Sequence, residues 1–198
     1  MKTVSFKPSK LGISIIITVI FIIGIVAYRK RKNIKKIAMN TINYLKEKTW
    51  DIHSDRRINK LHPLIQAKAR EFIIRAEKEL GITLRVSSGF RDWEQQTRLY
   101  AQGRTAPGKR VTNAKAGESY HNYGLALDVV EIKDGQPIWN NPKWNEIGAL
   151  GERLGFEWGG RWKRPDRPHF AMTFGKHHTE LAQLYRTGNR TGGFVNLT

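Results

Sequence analysis

The 198-residue sequence predicts an α+β fold: a small, mainly antiparallel sheet with flanking helices, preceded by a single N-terminal transmembrane helix. Three observations carry this. From residue 61 onward, helical and strand-like patterns follow one another without strict alternation and without repeat, which argues against a parallel βαβ sheet. The tetrapeptide Lys133-Asp134-Gly135-Gln136 is a turn signal that folds one strand-like run back on the next. Residues 11–28 form an uncharged run of 18 residues.

As a helix that run spans about 27 Å, close to the thickness of a bilayer's hydrocarbon core. It has no polar face, as a buried core helix of a small domain would, and it ends in Ala27-Tyr28 and a basic cluster rather than a small-residue cleavage site. It reads as an uncleaved anchor with residues 1–10 as its N-terminal flank. Six basic residues, Arg29, Lys30, Arg31, Lys32, Lys35 and Lys36, follow it, and three, Lys2, Lys7 and Lys10, precede it. By that bias the C-terminal part faces the cytoplasm.

Residues 29–60 are polar and basic, with one helical stretch at 37–48, and read as a juxtamembrane stalk. Residues 61–198 read as the globular domain. His62-Pro63 opens a helix to Leu80, ended by Gly81. Residues 82–87 alternate as a strand. Asp92 caps a helix that runs to Gly103, and a Gly/Pro/Lys loop extends to about Ser119. Residues 124–132 are a buried strand, returned by the turn into residues 137–139. Asn141-Pro142 starts a helix that ends near Gly155. Residues 156–158 and 169–174 are short strands, and residues 179–185 are a last helix.

The chain has no cysteine, which excludes disulfides, a thiol nucleophile and cysteine-ligated metals. Any metal must be held by His, Asp or Glu. The net charge is +18, half of it carried by residues 1–36, which contain no acid. So basic a chain points to a polyanion: nucleic acid, anionic lipid or an anionic wall polymer. Because half of the charge flanks the anchor and no nuclease motif occurs, no nucleic acid is expected.

The chemistry concentrates in two stretches, residues 119–128 (SYHNYGLALD) and residues 166–170 (DRPHF). Two imidazoles and a carboxylate make a three-ligand set for zinc with a fourth position left for water, and such a set suits hydrolysis. The apolar run around Asp128 puts that carboxylate on a buried strand, where an unpaired charge is costly. Asp166 lies three residues before His169, between two prolines that exclude a helix, and could act as general base and then as acid to a leaving amine.

The first stretch fits S-x-H-x-x-G-x-A-x-D at Ser119, His121, Gly124, Ala126 and Asp128, and Pro168-His169-Phe170 follows. Ser88-Gly89-Phe90-Arg91, residues 100–105, residues 107–115 and residues 158–162 (WGGRW) stand in order around it. Over residues 61–185 the chain thereby resembles the M15 (VanY / D-alanyl-D-alanine carboxypeptidase) zinc peptidases, of the LAS and hedgehog fold group. Its nearest likeness is to the L-alanyl-D-glutamate endopeptidases of phage endolysins and bacterial autolysins. The resemblance implies Zn2+ held by His121, Asp128 and His169. It implies Asp166 as the catalytic acid/base, and Arg91 as the residue that stabilises an oxyanion or holds a substrate carboxylate. It gives Ser119 a supporting or substrate contact. The family often has Asp where this chain has Arg161, which bears on substrate contacts and not on the ligands.

Other candidates read as structural. His177-His178 sit at a helix start, and His53 and His62 are stalk or capping residues. Glu118 and Glu131 are surface groups. Glu157 is farther in sequence from His169 than Asp166 is, so Asp166 is the better base. Most of the tryptophans read as core and rim packing, with a glycan groove as the sharper alternative.

The expected function is a membrane-anchored zinc peptidase of the peptidoglycan stem peptide, cutting the L-Ala–D-Glu bond. Cleavage of D-Ala–D-Ala as a carboxypeptidase, or a non-catalytic zinc-containing wall-binding module, are the alternatives. That substrate puts the domain on the periplasmic or outer side of the plasma membrane, against the flanking charges, and the substrate argument is the stronger.

Overall fold

The computed structural model describes residues 24–37, 39–40 and 52–197. The chain divides into two compact units, Met1–Lys46 and Glu47–Thr198. In the first, residues 24–37 and 39–40 are helical, with Ile25, Val26, Tyr28 and Ile34 exposed. Among the described residues no helix is long and apolar enough to cross a membrane. Residues 11–23, most of the predicted anchor, lie outside the described residues, as do residues 41–48 of the predicted stalk helix.

The second unit begins earlier than the expected boundary at residue 61. Residues 52–58 are helical and pack into it rather than forming a stalk. Ile58 is fully buried. Ser54 Oγ accepts the Val86 N–H at 3.1 Å, and Arg57 Nη1 donates to the Val86 carbonyl at 2.9 Å. These bonds satisfy backbone groups on an edge strand that would otherwise be open. Polar side chains doing backbone work made this segment look like a linker.

Helix α1 spans Pro63–Arg75 and continues as one π-helical turn, Ala76–Leu80, which Gly81 ends at φ 68°. His62 caps it: Nδ1 accepts from Leu64 N–H at 3.3 Å, while Nε2–H donates to the Val195 carbonyl at 3.1 Å. Strand β1 (Leu84–Ser88) follows, then α2 (Trp93–Ala101), capped by Asp92 Oδ1 on Gln95 N–H at 2.6 Å. Strands β2 (Ala126–Lys133) and β3 (Gln136–Ile138) form the predicted hairpin. Asp134 and Gly135 both have positive φ, 52° and 70°, as a two-residue I′ turn demands. Helix α3 (Trp144–Arg153), β4 (Glu157–Trp158), β5 (His169–Ala171) and α4 (His178–Arg186) complete the main fold. The strand predicted to reach residue 174 stops at Ala171. A small hairpin not expected from the sequence, β6 (Arg190–Thr191) and β7 (Phe194–Val195), closes the chain and supplies the carbonyl that holds His62.

The main sheet has the order β1-β2-β5-β4, with β3 on β2, and every pairing is antiparallel. The α+β expectation therefore stands. Leu127, Val129 and Phe170 join the core built with α1 and α3. Phe72 of α1 packs on Phe170 and Phe156, with ring centroids 4.7 and 5.9 Å apart. Gly151 of α3 admits Phe170, since a Cβ there would stand 2.5 Å from its ring. Side chains alternate across a strand. Asp128 lies between Leu127 and Val129, and His169 precedes Phe170. Both ligand candidates thus face away from that core, on one side of the sheet.

Candidate metal centre

Two of the three candidate ligands come from the sheet itself. Asp128 on β2 and His169 on β5 are register partners, and Ser88 of β1 pairs with Asp128 from the other side. The third, His121, sits in a 3-10 turn, Tyr120–Tyr123, ended by Gly124 at φ 69°. Gly124 is required for space as well as for its backbone conformation. A Cβ there would stand 2.7 Å from the backbone nitrogen of His62.

Asp128 Oδ1 lies 3.0 Å from His169 Nδ1 and 3.3 Å from His121 Nε2, and the two imidazole nitrogens are 3.3 Å apart. A tetrahedral ion with spokes of about 2.0–2.1 Å has ligand edges of about 3.3–3.4 Å. The triangle is therefore the right size for zinc. Its chemistry agrees. His121 Nδ1–H donates to the Gly89 carbonyl at 2.7 Å, which leaves the Nε2 lone pair pointing at the site. Burial pushes the His121 pKa down against the pull of Asp128, so the ring is held neutral, as a ligand must be. Burial alone would raise Asp128, but hydrogen bonding and electrostatic attraction from the His121 and His169 rings outweigh it and hold the carboxylate well below its ordinary range. Convergent lone pairs of this kind, at buried residues, call for a cation. Among the described residues this is the group of His, Asp and Glu that could hold a metal.

Arg91 is brought to the same place. Its Nη2 donates to Asp128 Oδ2 at 2.7 Å and its Nε to Ser88 Oγ at 3.0 Å. The two oxygens of Asp128 thus divide their work, one facing the imidazoles and the other the guanidinium. The Arg91 backbone is also tied to the His121 turn. Its N–H donates to the His121 carbonyl at 3.0 Å, and its carbonyl accepts from Asn122 Nδ2 at 2.9 Å. Asn122, which the sequence reading passed over, closes the link by accepting the Gly117 N–H at 2.9 Å. Ser119 precedes the turn, nearly buried, and its side chain makes no capping bond.

Asp166 lies on the loop into β5. Its N–H donates to the Gly159 carbonyl at 2.9 Å and its carbonyl accepts the His169 N–H at 3.2 Å. Trp158 Nε1 donates to the Arg167 carbonyl at 2.8 Å, and the Pro168 carbonyl accepts Val129 N–H at 3.0 Å. Gly159 permits this closeness: a Cβ would meet the Asp166 carbonyl oxygen at 2.6 Å and His169 Cβ at 3.1 Å. The Trp158 ring fills the space over Gly148 and Gly160, where added Cβ atoms would fall 2.2 Å from it. Asp166 itself is exposed at the surface. Desolvation first, and the Asp128 charge second, push its pKa up, while His169, His121 and Arg91 pull it down. A carboxyl coupled to the ligand set and raised in this way is suited to proton transfer.

The remaining candidates each have local hydrogen-bond partners or stand in solvent. Glu157 accepts a hydrogen bond from Thr173 Oγ1. Glu118 accepts the Lys115 N–H at 2.8 Å and Glu131 accepts from Asn141 at 2.6 Å. His177 and Glu180 form a capping box at the start of α4, and His53 is exposed. Arg161 makes two 3.0 Å bonds to Glu152 of α3 and lies over the Trp158 ring.

The profile of the D-alanyl-D-alanine carboxypeptidase family, peptidase M15, matches residues 112–172, a span that contains His121, Asp128, Asp166 and His169. The chain is 45% identical over 123 residues to the peptidoglycan L-alanyl-D-glutamate endopeptidase CwlK of Bacillus subtilis (strain 168), covering 57% of this chain and 73% of that protein. It is 30% identical over 127 residues to the L-alanyl-D-glutamate peptidase of Listeria phage A118, covering 62% of this chain and 42% of the phage protein. Among solved structures, the Serratia marcescens L-Ala D-Glu endopeptidase ChiX matches with a TM-score of 0.44 and 27% identity over 61% of this chain and 86% of that one.

Proposed function

The chain belongs to the M15 family of zinc peptidases, and from that membership we propose that it hydrolyses the L-Ala–D-Glu bond of the peptidoglycan stem peptide. The observation that carries the reading is the 3.0–3.3 Å triangle of His121, Asp128 and His169 with Asp166 electrostatically coupled to it. The bond assignment draws on the 45% identity to CwlK, an endopeptidase named for that cleavage.

His121, Asp128 and His169 would hold the zinc, which when bound would supply Lewis-acid polarisation of the scissile carbonyl and a more acidic water. Asp166 accepts the proton of the attacking water and returns it to the leaving amine of D-Glu. Arg91 holds Asp128 by Oδ2, and its remaining donors meet negative charge that develops on the substrate. Ser119, beside the His121 turn, contributes a hydroxyl to the substrate side.

The enzyme is anchored by residues 11–28 with its second unit outside the plasma membrane. The length of that uncharged run and the extracytoplasmic location of stem peptides support this. A reporter fused after Thr198 should be active on the outer side; activity confined to the cytoplasm would reverse the assignment.

Mass spectrometry of muropeptides incubated with the enzyme, with zinc and with a chelator, tests the activity. Chelator-sensitive release of disaccharide-L-Ala is expected. Loss of a single terminal D-Ala would instead establish a carboxypeptidase, and zinc binding without cleavage would establish a binding module.

A further inference from the structure

Two tryptophans are largely exposed among the described residues, Trp139 at 50% and Trp162 at 47%. Trp162 is the one at the metal centre. Its ring centroid lies 5.0 Å from that of His169, with 45° between the planes. Its backbone N–H donates to the Gly159 carbonyl at 3.2 Å, which fixes it to the same turn that carries Asp166. Its indole N–H has no hydrogen-bond partner among the described residues, and the side chain is not part of the hydrophobic core. An indole left in water beside a metal ligand, with a free donor at its edge, is built to receive something flat and partly apolar.

Resting on the endopeptidase reading, we propose that Trp162 is the platform on which the N-acetylmuramoyl sugar of a glycan-linked stem peptide stacks, making it a specificity-determining residue for substrates still attached to the glycan. The chemistry on either side of the scissile bond selects this occupant. On the amine side, D-Glu and the residues beyond it present carboxylates and branched chains. On the acyl side, one alanine and one lactyl group separate the reacting carbonyl from a pyranose, a span of at most about 7 Å when extended. That brings the sugar within reach of a ring seated on His169. The pyranose offers a flat C–H face to the indole, and its hydroxyl and N-acetyl oxygens offer acceptors to Nε1–H.

The test compares kcat/KM for two substrates: a disaccharide-linked stem peptide, and the same peptide with acetylated L-Ala in place of the sugar. Wild type, Trp162→Ala and Trp162→Phe are measured, each with its zinc content. Wild type should favour the sugar-bearing substrate by about tenfold, chiefly through KM. Trp162→Ala should bring that ratio close to one while retaining full zinc, and Trp162→Phe should keep part of it. A wild type without preference, or a ratio that survives Trp162→Ala, would overturn the proposal. So would equal losses on both substrates with loss of zinc, which would make Trp162 a packing residue for His169. A wild type that cleaves neither peptide would overturn the endopeptidase reading, and the sugar platform with it.

Discussion

Asp128 and His169 stand directly opposite each other on antiparallel strands β2 and β5, with Asp128 Oδ1 3.0 Å from His169 Nδ1. Two of the three candidate ligands are therefore placed by sheet register rather than by loops. A one-residue slip of β5 would turn His169 into the core and Phe170 out of it. The aromatic packing of Phe170 on Phe72 and Trp158 thus guards the metal site as well as the core.

Asp128→Asn and His169→Ala should each remove bound zinc and activity together. Metal analysis of the purified variants and the muropeptide assay check this. Either variant retaining both stoichiometric zinc and turnover would exclude that side chain from the ligand set. Prolonged dialysis of wild type against a chelator should reproduce the loss, and added zinc should reverse it.

Asp166→Asn should behave differently. The residue is outside the ligand triangle, and the amide fits the same loop bonds, which use its backbone. Zinc content should stay at the wild-type level while kcat falls by about 10²–10⁴. Near-normal kcat would assign the proton transfer to another group.

Gly159→Ala places a methyl group 2.6 Å from the Asp166 carbonyl oxygen, against backbone that cannot rotate away. The Asp166 loop must shift, and misplacement of a catalytic group by about 1 Å can cost about 10² in rate. The expected result is a fall in kcat of that order with a fold that survives, since overpacking costs about 1–3 kcal/mol. Steady-state kinetics beside thermal denaturation separate the two effects; unchanged kcat would show that the loop tolerates the shift.

His62 should couple stability to pH. Burial lowers its pKa from 6.5, against the raising effect of the Val195 carbonyl, and Nδ1 must stay unprotonated to cap α1. With the folded pKa below the unfolded one, the unfolded chain binds more protons in the window between them. Stability is therefore complete above about pH 6.5, declines as pH falls through that window, and levels off below the folded pKa. Urea denaturation at about pH 7.5 and about pH 5 should show a larger loss for wild type than for His62→Asn, which keeps a capping oxygen but does not titrate there. Equal losses would remove His62 as the coupling group.

What could be read from the linear chain is what depends on neighbours in it. The Asp134-Gly135 turn, the Asp92 cap and the Gly81 stop follow from local backbone chemistry, and each stands where its residues put it. The candidate ligands were legible because strand β2 and the turn before it carry two of them within one motif, and because that motif resembles a known family's. The tertiary structure alone decided the rest. The bond from Arg91 to Asp128 joins residues 37 positions apart, and residues 52–58 join the second unit through bonds to Val86. The seating of Trp162 on His169 depends on a loop folded over Gly159. Composition placed residues 52–58 in a stalk and left the tryptophans between packing and a glycan groove, because polarity and size describe a side chain, whereas its role depends on which distant backbone or ring the fold sets beside it.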